Sequence, residues 1–300
     1  MEYIIYQIDA FTYTLFKGNP AGVVVNADGL SDTQMQMIAK ELNNSETAFL
    51  LSPKDAANDG AIRYFTPTTE VPICGHATIS AIFVKALEEK VDSHVFMMET
   101  QVGTLPIEVT YKDNKYLIKM VQGKPLVNAP ISASHKQGLL EALGISSDDM
   151  DERCPIQIAS TGHSKVMIGI KNKETLNRLS PNMDALNKLS HDISCNGYYV
   201  FVLGNEKDDV FVNGRMFAPA IGINEDPVTG NANGPLGAYL VHNKIVDTGK
   251  SPLRFVVKQG EKMGREGMME VIVDINNHQS ERVTIIGEAV VVFKTVIRLD

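Results

Sequence analysis

The sequence has no run of basic residues. Its 28 lysines and arginines are scattered among 36 aspartates and glutamates, for a net charge of −8. Binding to nucleic acid is not expected, because phosphate recognition needs a clustered basic face. Long apolar runs are missing as well. Stretches such as Ala289–Phe293 are strand-length, far below the ~18–20 residues that cross a bilayer, so no membrane span is expected. The start, Met1-Glu2-Tyr3-Ile4-Ile5 with acidic Asp9 close behind, lacks the basic head and apolar core of a signal peptide. Cysteine is scarce. Cys74, Cys154 and Cys195 are an odd number without metal-type spacing, which reads as free thiols in a reducing cytoplasm. The seven histidines form no HxxxH or HExxH pair, and no metal site is expected. No GxGxxG follows the first strand and no P-loop occurs, which argues against the common nucleotide-binding folds.

What is present is an ordinary globular composition, 44% hydrophobic and 21% charged over 300 residues. That is enough for one large or two medium domains without a disulfide or metal staple. The chain also carries an internal repeat, the feature that governs everything downstream. Arg63-Tyr64-Phe65-Thr66-Pro67 recurs half a chain later as Arg215-Met216-Phe217-Ala218-Pro219. In the same register Asn44 meets Asn196, Phe49 meets Phe201 and Leu51 meets Leu203, which sets Glu46 against Tyr198. After a three-residue insertion, Glu70, Pro72, Gly75 and Ala77 match Glu225, Pro227, Gly230 and Ala232.

Each half reads as short strands, a helix, more strands, a glycine-initiated apolar helix and closing strands. Ser31-Asp32 caps a helix ending near Leu42, and Ser180-Pro181 opens one ending near Leu189. The apolar helices, Gly75–Leu87 and Gly230–His242, suit burial within a curved sheet. The pattern predicts an α+β chain of two pseudo-symmetric lobes, residues 1–121 and 135–284. A linker at 122–134, rich in proline and small residues, joins them, and the last strand, about 285–300, crosses back to complete the first lobe.

The corresponding loops of the two halves are the most polar and glycine-rich in the chain: Pro72-Ile73-Cys74-Gly75-His76-Ala77-Thr78, and the stretch from Glu225 to Gly234. Both place glycine at the mouth of a helix, where unpaired N–H groups and the positive dipole end hold an anion. Either glycine alone is explained by a strand-to-helix turn. Two such ends on matching lobes point to a small carboxylate substrate. Glu46 enters the apolar strand Ala48-Phe49-Leu50-Leu51. It is either an edge glutamate or a partly desolvated carboxyl whose raised proton affinity suits a proton shuttle. His76 is either structural or a donor to substrate. Asp226, before Pro227, either caps the turn or orients a substrate amine or a histidine. Cys74 is a candidate thiolate base, whereas Cys154 and Cys195 read as core residues.

The combination Gly18-Asn19-Pro20-Ala21-Gly22-Val23, Asn44-Ser45-Glu46-Thr47-Ala48-Phe49, Arg63-Tyr64-Phe65-Thr66-Pro67, Cys74-Gly75-His76-Ala77-Thr78 and Glu225-Asp226-Pro227-Val228-Thr229-Gly230 resembles the PhzF-like family of phenazine biosynthesis. Gln259-Gly260-Glu261-Lys262-Met263-Gly264-Arg265 continues the likeness. The resemblance implies the diaminopimelate epimerase-like fold, two lobes each wrapping a barrel-like, mostly antiparallel sheet about a central helix. It also implies a cytoplasmic homodimer that works without a metal or organic cofactor, and a proton-moving isomerase of a carboxylate substrate, of the anthranilate type in the family's named enzyme. The family's catalytic glutamate falls on Glu46, its supporting histidine on His76 and its aspartate on Asp226. Substrate-binding positions fall on Asn19, Cys74, Gly75, Ala77, Thr229, Gly230 and Asn231. Asn231 departs from the small hydroxylated residue of the family's enzyme. Two rival readings stand beside this one: a cysteine-dependent epimerase or racemase using Cys74, and a non-catalytic protein that binds a small carboxylate. The second loop, Thr229-Gly230-Asn231-Ala232-Asn233, has no thiol, which disfavours a two-cysteine racemase.

Overall fold

The computed structural model describes residues 1–299. The chain forms two compact units, Met1–Val121 with the segment from Ile286 onward, and Gln122–Ile285. The first begins with β1 (Glu2–Ala10), β2 (Asn19–Val24), α1 (Asp32–Leu42), β3 (Thr47–Leu51), β4 (Gly60–Phe65) and β5 (Glu70–Val71). It continues through α2 (Gly75–Glu89), β6 (Ser93–Thr100), β7 (Gly103–Lys112) and β8 (Lys115–Val121). The second runs through β9 (Leu126–Pro130), α3 (Ala133–Leu143), β10 (Gln157–Ser160), β11 (Ser164–Gly169), α4 (Lys173–Arg178), α5 (Met183–Ile193) and β12 (Tyr198–Leu203). Then come β13 (Val212–Ala218), β14 (Ile223–Asp226), α6 (Gly230–His242), β15 (Leu253–Gln259), β16 (Gly267–Asn276) and β17 (Gln279–Gly287), followed by β18 (Ala289–Arg298).

The repeat in the sequence is a repeat of strand pairing. In the first unit β1 pairs antiparallel with β2, β2 parallel with β3, and β3 antiparallel with β4. β4 then takes β5 antiparallel and β6 parallel, and β6 turns back on β7. The second unit repeats these senses in order from β10 to β16. In the first unit β8 extends the sheet beyond β7 and β18 lies antiparallel along β1. In the second, β9 flanks β10.

Each sheet curls about one helix. α2 packs against β1, β2, β3, β4, β7, β8 and β18, and its residues from His76 to Val84 are all buried. A helix enclosed on every side has to be apolar on every side. Ile79, Ile82 and Val84 are fully buried, each stabilising the unit by roughly 1.5–3 kcal/mol before entropic costs. α6 packs on β9, β10, β11 and β16. It approaches β16 so closely that a Cβ on Gly237 would stand 2.7 Å from Val273 Cγ2. α1, by contrast, lies on the outer face. Ser31 and Gln34 form its capping box, and Met35, Ile38 and Ala39 pack on Phe49 and Phe65.

Three expectations need correcting. The alignment of Glu46 with Tyr198 is out by one residue. The Gly22 amide donates to Glu46 O and the Val166 amide to Gly197 O, and Phe65 sits opposite Thr47 where Phe217 sits opposite Tyr198. Glu46 therefore corresponds to Gly197, and Thr47 to Tyr198. The matched phenylalanines at 49 and 201 lie on opposite faces, because a one-residue slip in a strand exchanges its faces. Residues 122–134 are not an unstructured linker. Leu126–Pro130 is β9, paired with β10 and held by Gln157 Nε2 donating to Asn128 O at 2.9 Å, and α3 begins at Ala133. The helix expected at Ser180-Pro181 starts later. Asn182 accepts from the Ala185 amide, so α5 runs from Met183 to Ile193. Just before it lies α4, a helix too short to leave a periodic signal.

The duplicated Arg-x-Phe-x-Pro motif has a structural cause. Arg63 makes a two-pronged ion pair with Glu70 (Nε–Oε1 2.7 Å, Nη2–Oε2 2.8 Å) and lies over the Phe65 ring. Arg215 repeats it with Glu225 (2.8 and 2.8 Å) over Phe217. Each clamp ties β4 or β13 to the short strand that leads into the helix mouth. The second is the more deeply buried, with side-chain exposures of 7% and 15% against 27% and 24%, and Arg215 also donates to Leu176 O and Leu179 O. Stripping the partner from a buried guanidinium costs about 3–5 kcal/mol, whereas a half-exposed pair is worth much less. Glu225→Ala is thus expected to destabilise the protein by roughly that amount, and Glu70→Ala by clearly less. Urea unfolding of both variants beside wild type measures the difference, and equal losses would contradict it.

Candidate functional site

In the first unit the candidate residues gather where α2 begins. Cys74 is the N-cap, yet its side chain makes no capping hydrogen bond to the helix amides. Its Sγ lies 3.4 Å from His76 Nδ1 instead. The other edge of the imidazole, Nε2, is 3.5 Å from Glu46 Oε2 and 3.3 Å from Ser45 Oγ. Glu46 stands just ahead of β3 with 15% of its side chain exposed, and His76 is buried at 8%. The backbone of this turn is tied by Ser80 Oγ donating to His76 O and Thr78 Oγ1 donating to Cys74 O.

Glu46, Cys74 and His76 bring donor atoms within 4.8 Å of one another. The thiol and the carboxylate approach opposite edges of the ring, however. That disposition suits passage of a proton along the imidazole better than convergence on one ion. Above Gly75 there is open space, with no heavy atom within 4 Å of where a Cβ would stand. The Gly75, His76 and Ala77 amides are the first of α2 and have no intrahelical acceptor. Ala77 is fully buried and has only its backbone to offer. Asn19 is also buried, at the start of β2 opposite Ala10.

In the second unit the corresponding mouth is built from polar side chains. Asp226 ends β14 and accepts a hydrogen bond from Thr229 Oγ1. Thr229 is the N-cap of α6 and, like Cys74, spends its side chain away from the helix. Gln259, 1% exposed, organises the loop. Its Nε2 donates to Asp226 O (2.8 Å) and Thr229 Oγ1 (3.0 Å), and its Oε1 accepts from the Thr229 amide (3.2 Å) and Asn233 Nδ2 (3.1 Å). Tyr199 OH completes the network on Asn233 Oδ1. A Cβ on Gly214 would fall 2.0 Å from that hydroxyl, so glycine is required there. The amides of Gly230 and Asn231 open α6 without intrahelical acceptors.

Structure thus gathers Glu46, Cys74, Gly75 and His76 in one unit, and Asp226, Thr229, Gly230 and Asn231 in the other. Gln259 was not singled out as a site residue. Its signal was its place in the Gln259–Arg265 motif, and a buried amide bonded on both sides holds the loop rather than meeting a ligand.

The chain is similar to known proteins over its whole length. The model of the phenazine biosynthesis-like protein family (PhzC-PhzF) matches residues 8–295. An uncharacterized isomerase of Clostridium acetobutylicum is 54% identical over 299 residues, covering 100% of this chain and 99% of that protein. The trans-2,3-dihydro-3-hydroxyanthranilate isomerase of Pseudomonas chlororaphis is 34% identical over 289 residues, 96% of each chain. Among solved structures, the PhzF-family phenazine biosynthesis protein of Bacillus anthracis superposes with a TM-score of 0.88 at 30% identity, covering 100% of both chains.

The three thiols differ in setting. Burial pushes Cys154 up to about 12 and raises Cys195 as well, so neither carries appreciable thiolate at neutral pH. Cys74 stands at a helix mouth beside an imidazole. Iodoacetamide at pH 8, followed by peptide mass mapping, is expected to modify Cys74 first and the other two only on unfolding. Labelling of Cys154 or Cys195 at a similar rate in the folded protein would contradict this.

Proposed function

The chain belongs to the phenazine biosynthesis-like (PhzC-PhzF) family, and from that premise we propose an isomerase that moves a proton on a small carboxylate substrate, with Glu46 as general acid and base. The observation that carries the reading is the Glu46 carboxylate set 3.5 Å from His76 Nε2, beside the open space over Gly75. An exposed edge glutamate would have neither the imidazole nor the helix mouth as neighbours.

As carboxylate, Glu46 takes a proton from a carbon acidified by an adjacent unsaturated group, and returns it at another carbon of the same conjugated system. Negative charge develops on the substrate meanwhile. Amides preorganised at a helix mouth, here those of Gly75 and His76, stabilise such charge without reorganisation. His76, with Nε2 3.5 Å from the carboxylate, is assigned to fixing its aim. In the second unit Asp226, Thr229, Gly230 and Asn231 are assigned to holding the substrate. An anthranilate-type ring acid is the first candidate, because that is the substrate class in the name of the P. chlororaphis relative. The reading includes a cytoplasmic homodimer that needs no cofactor. Among the described residues no helix is long and apolar enough to cross a membrane.

Cys74 Sγ, 3.4 Å from His76 Nδ1, supports a second reading in which the thiol is the base. One experiment separates the two: proton NMR of trans-2,3-dihydro-3-hydroxyanthranilate and of small cyclic amino acids with the protein in deuterated buffer. Glu46→Gln is expected to slow exchange or isomerisation by about 10²–10⁴-fold, the usual worth of a positioned acid/base group. Cys74→Ser is expected to retain most of it. The opposite ranking would move the chemistry to Cys74.

A further inference from the structure

The corrected register exposes an exchange of charge between the two units. Where the first has Glu46, the second has Gly197, which carries no side chain. The vacated space is filled by Lys165. A Cβ on Gly197 would stand 2.4 Å from Lys165 Cδ and 3.5 Å from its Nζ, so the lysine lies across the glycine. Ala21 occupies the position of Lys165 in the first unit. A carboxylate above alanine in one unit has become an ammonium above glycine in the other.

The direction of Lys165 follows from the strand. Val166 and Ile168 pack outward into the core formed with α3 and α5. Successive side chains of a strand alternate, so Lys165 and Met167 face α6. Along the same face Tyr199 reaches Asn233 in the first turns of α6, and Phe201 reaches Tyr239 further on. Lys165 and Gly197 are one step back from Tyr199, level with the mouth where Gly230 and Asn231 begin the helix.

Lys165 is only 5% exposed. Among the described residues its Nζ makes one hydrogen bond, to Ser164 O at 3.1 Å, which leaves two of three ammonium protons to be satisfied. Burial lowers its proton affinity, and the Asp226 carboxylate offsets part of that. A buried ammonium of this kind is costly to the fold and is retained where an anion meets it. The first amides of α6 favour the same sign of ligand.

Resting on the carboxylate-substrate reading above, we infer that Lys165 is a substrate-binding residue whose ammonium, with the Gly230 and Asn231 amides, takes the substrate carboxylate. Nothing in the sequence motifs marks it.

The test is equilibrium binding, which needs no turnover and so stands whether or not Glu46 proves to be the base. Calorimetric titration compares 2-aminobenzoate with aniline, which lacks the carboxyl, on wild type, Lys165→Met and Lys165→Gln. Wild type is expected to prefer 2-aminobenzoate. Both variants should lose about tenfold or more of that affinity, the worth of one charge-assisted hydrogen bond, and leave aniline unchanged. Thermal unfolding of Lys165→Met should match or exceed wild type, because an apolar chain of similar length replaces a buried charge. Wild type that does not distinguish the two probes, or variants that bind 2-aminobenzoate as wild type does, would overturn the assignment. So would melting of both variants well below wild type, which would make Lys165 a structural residue.

Discussion

A helix enclosed by a sheet has to begin somewhere, and its first amides have no carbonyl behind them. Solvent satisfies such groups at the surface; in the heart of a curled sheet a side chain or a ligand has to. Both α2 and α6 face this constraint, and neither N-cap side chain relieves it. Cys74 turns to His76, and Thr229 gives its hydroxyl to Asp226. Elements around the mouths serve to keep them in place. In the first unit Tyr64 OH meets Thr78 Oγ1 at 2.7 Å in the opening turn of α2. In the second, Tyr199 meets Asn233 at the same point of α6. The two Arg–Glu clamps brace the short strands that deliver the chain to each mouth.

Against this shared frame the differences between the units fall on polar and titratable groups at the helix mouths. Cys74 is answered by Thr229, His76 by Asn231, and Glu46 by Gly197 with Lys165 laid over it. Scaffold positions repeat because the same helix has to be enclosed by the same order of strands. Mouth positions differ, although Thr229 and Cys74 still bond to side chains beside them. One unit consequently holds a carboxylate, an imidazole and a thiol. The other holds an ammonium and a bonded network of Asp226, Thr229, Gln259 and Asn233.

Much of this was legible in the sequence. The α+β class followed from glycine-initiated apolar helices set among strands, and the family from motifs spread from Gly18 to Arg265. The Arg-x-Phe-x-Pro repeat was visible as letters, although its role as a clamp on Glu70 and Glu225 needed coordinates. The register of β12 was misread because the same Phe-x-Leu spacing occurs in both strands, Phe49 with Leu51 and Phe201 with Leu203, on opposite faces, so matching letters settled on the wrong face. That slip also hid Lys165. Within Ser164-Lys165-Val166-Met167 a lysine looks like a solvated edge residue until it is known that Val166 faces one core and Lys165 the enclosed helix. The strand at Leu126–Pro130 was hidden by the prolines around it, which mark an edge strand as readily as a loop.

The broken symmetry bears on the kind of isomerisation. Inverting a carbon centre requires one group to remove the proton and a second acid, on the far side of the substrate, to return another. The second-unit counterparts of Cys74 and Glu46 are Thr229 and Gly197, and neither is an acid. The titratable group laid over Gly197 is Lys165, which the carboxylate-binding proposal leaves with no part in returning a proton. Under the proposed mechanism a single shuttle at Glu46 takes and returns the proton on one face of the substrate. A group so placed exchanges the position of a double bond more readily than the handedness of a carbon. What separates the two helix mouths is their side chains, set on one repeated order of strands.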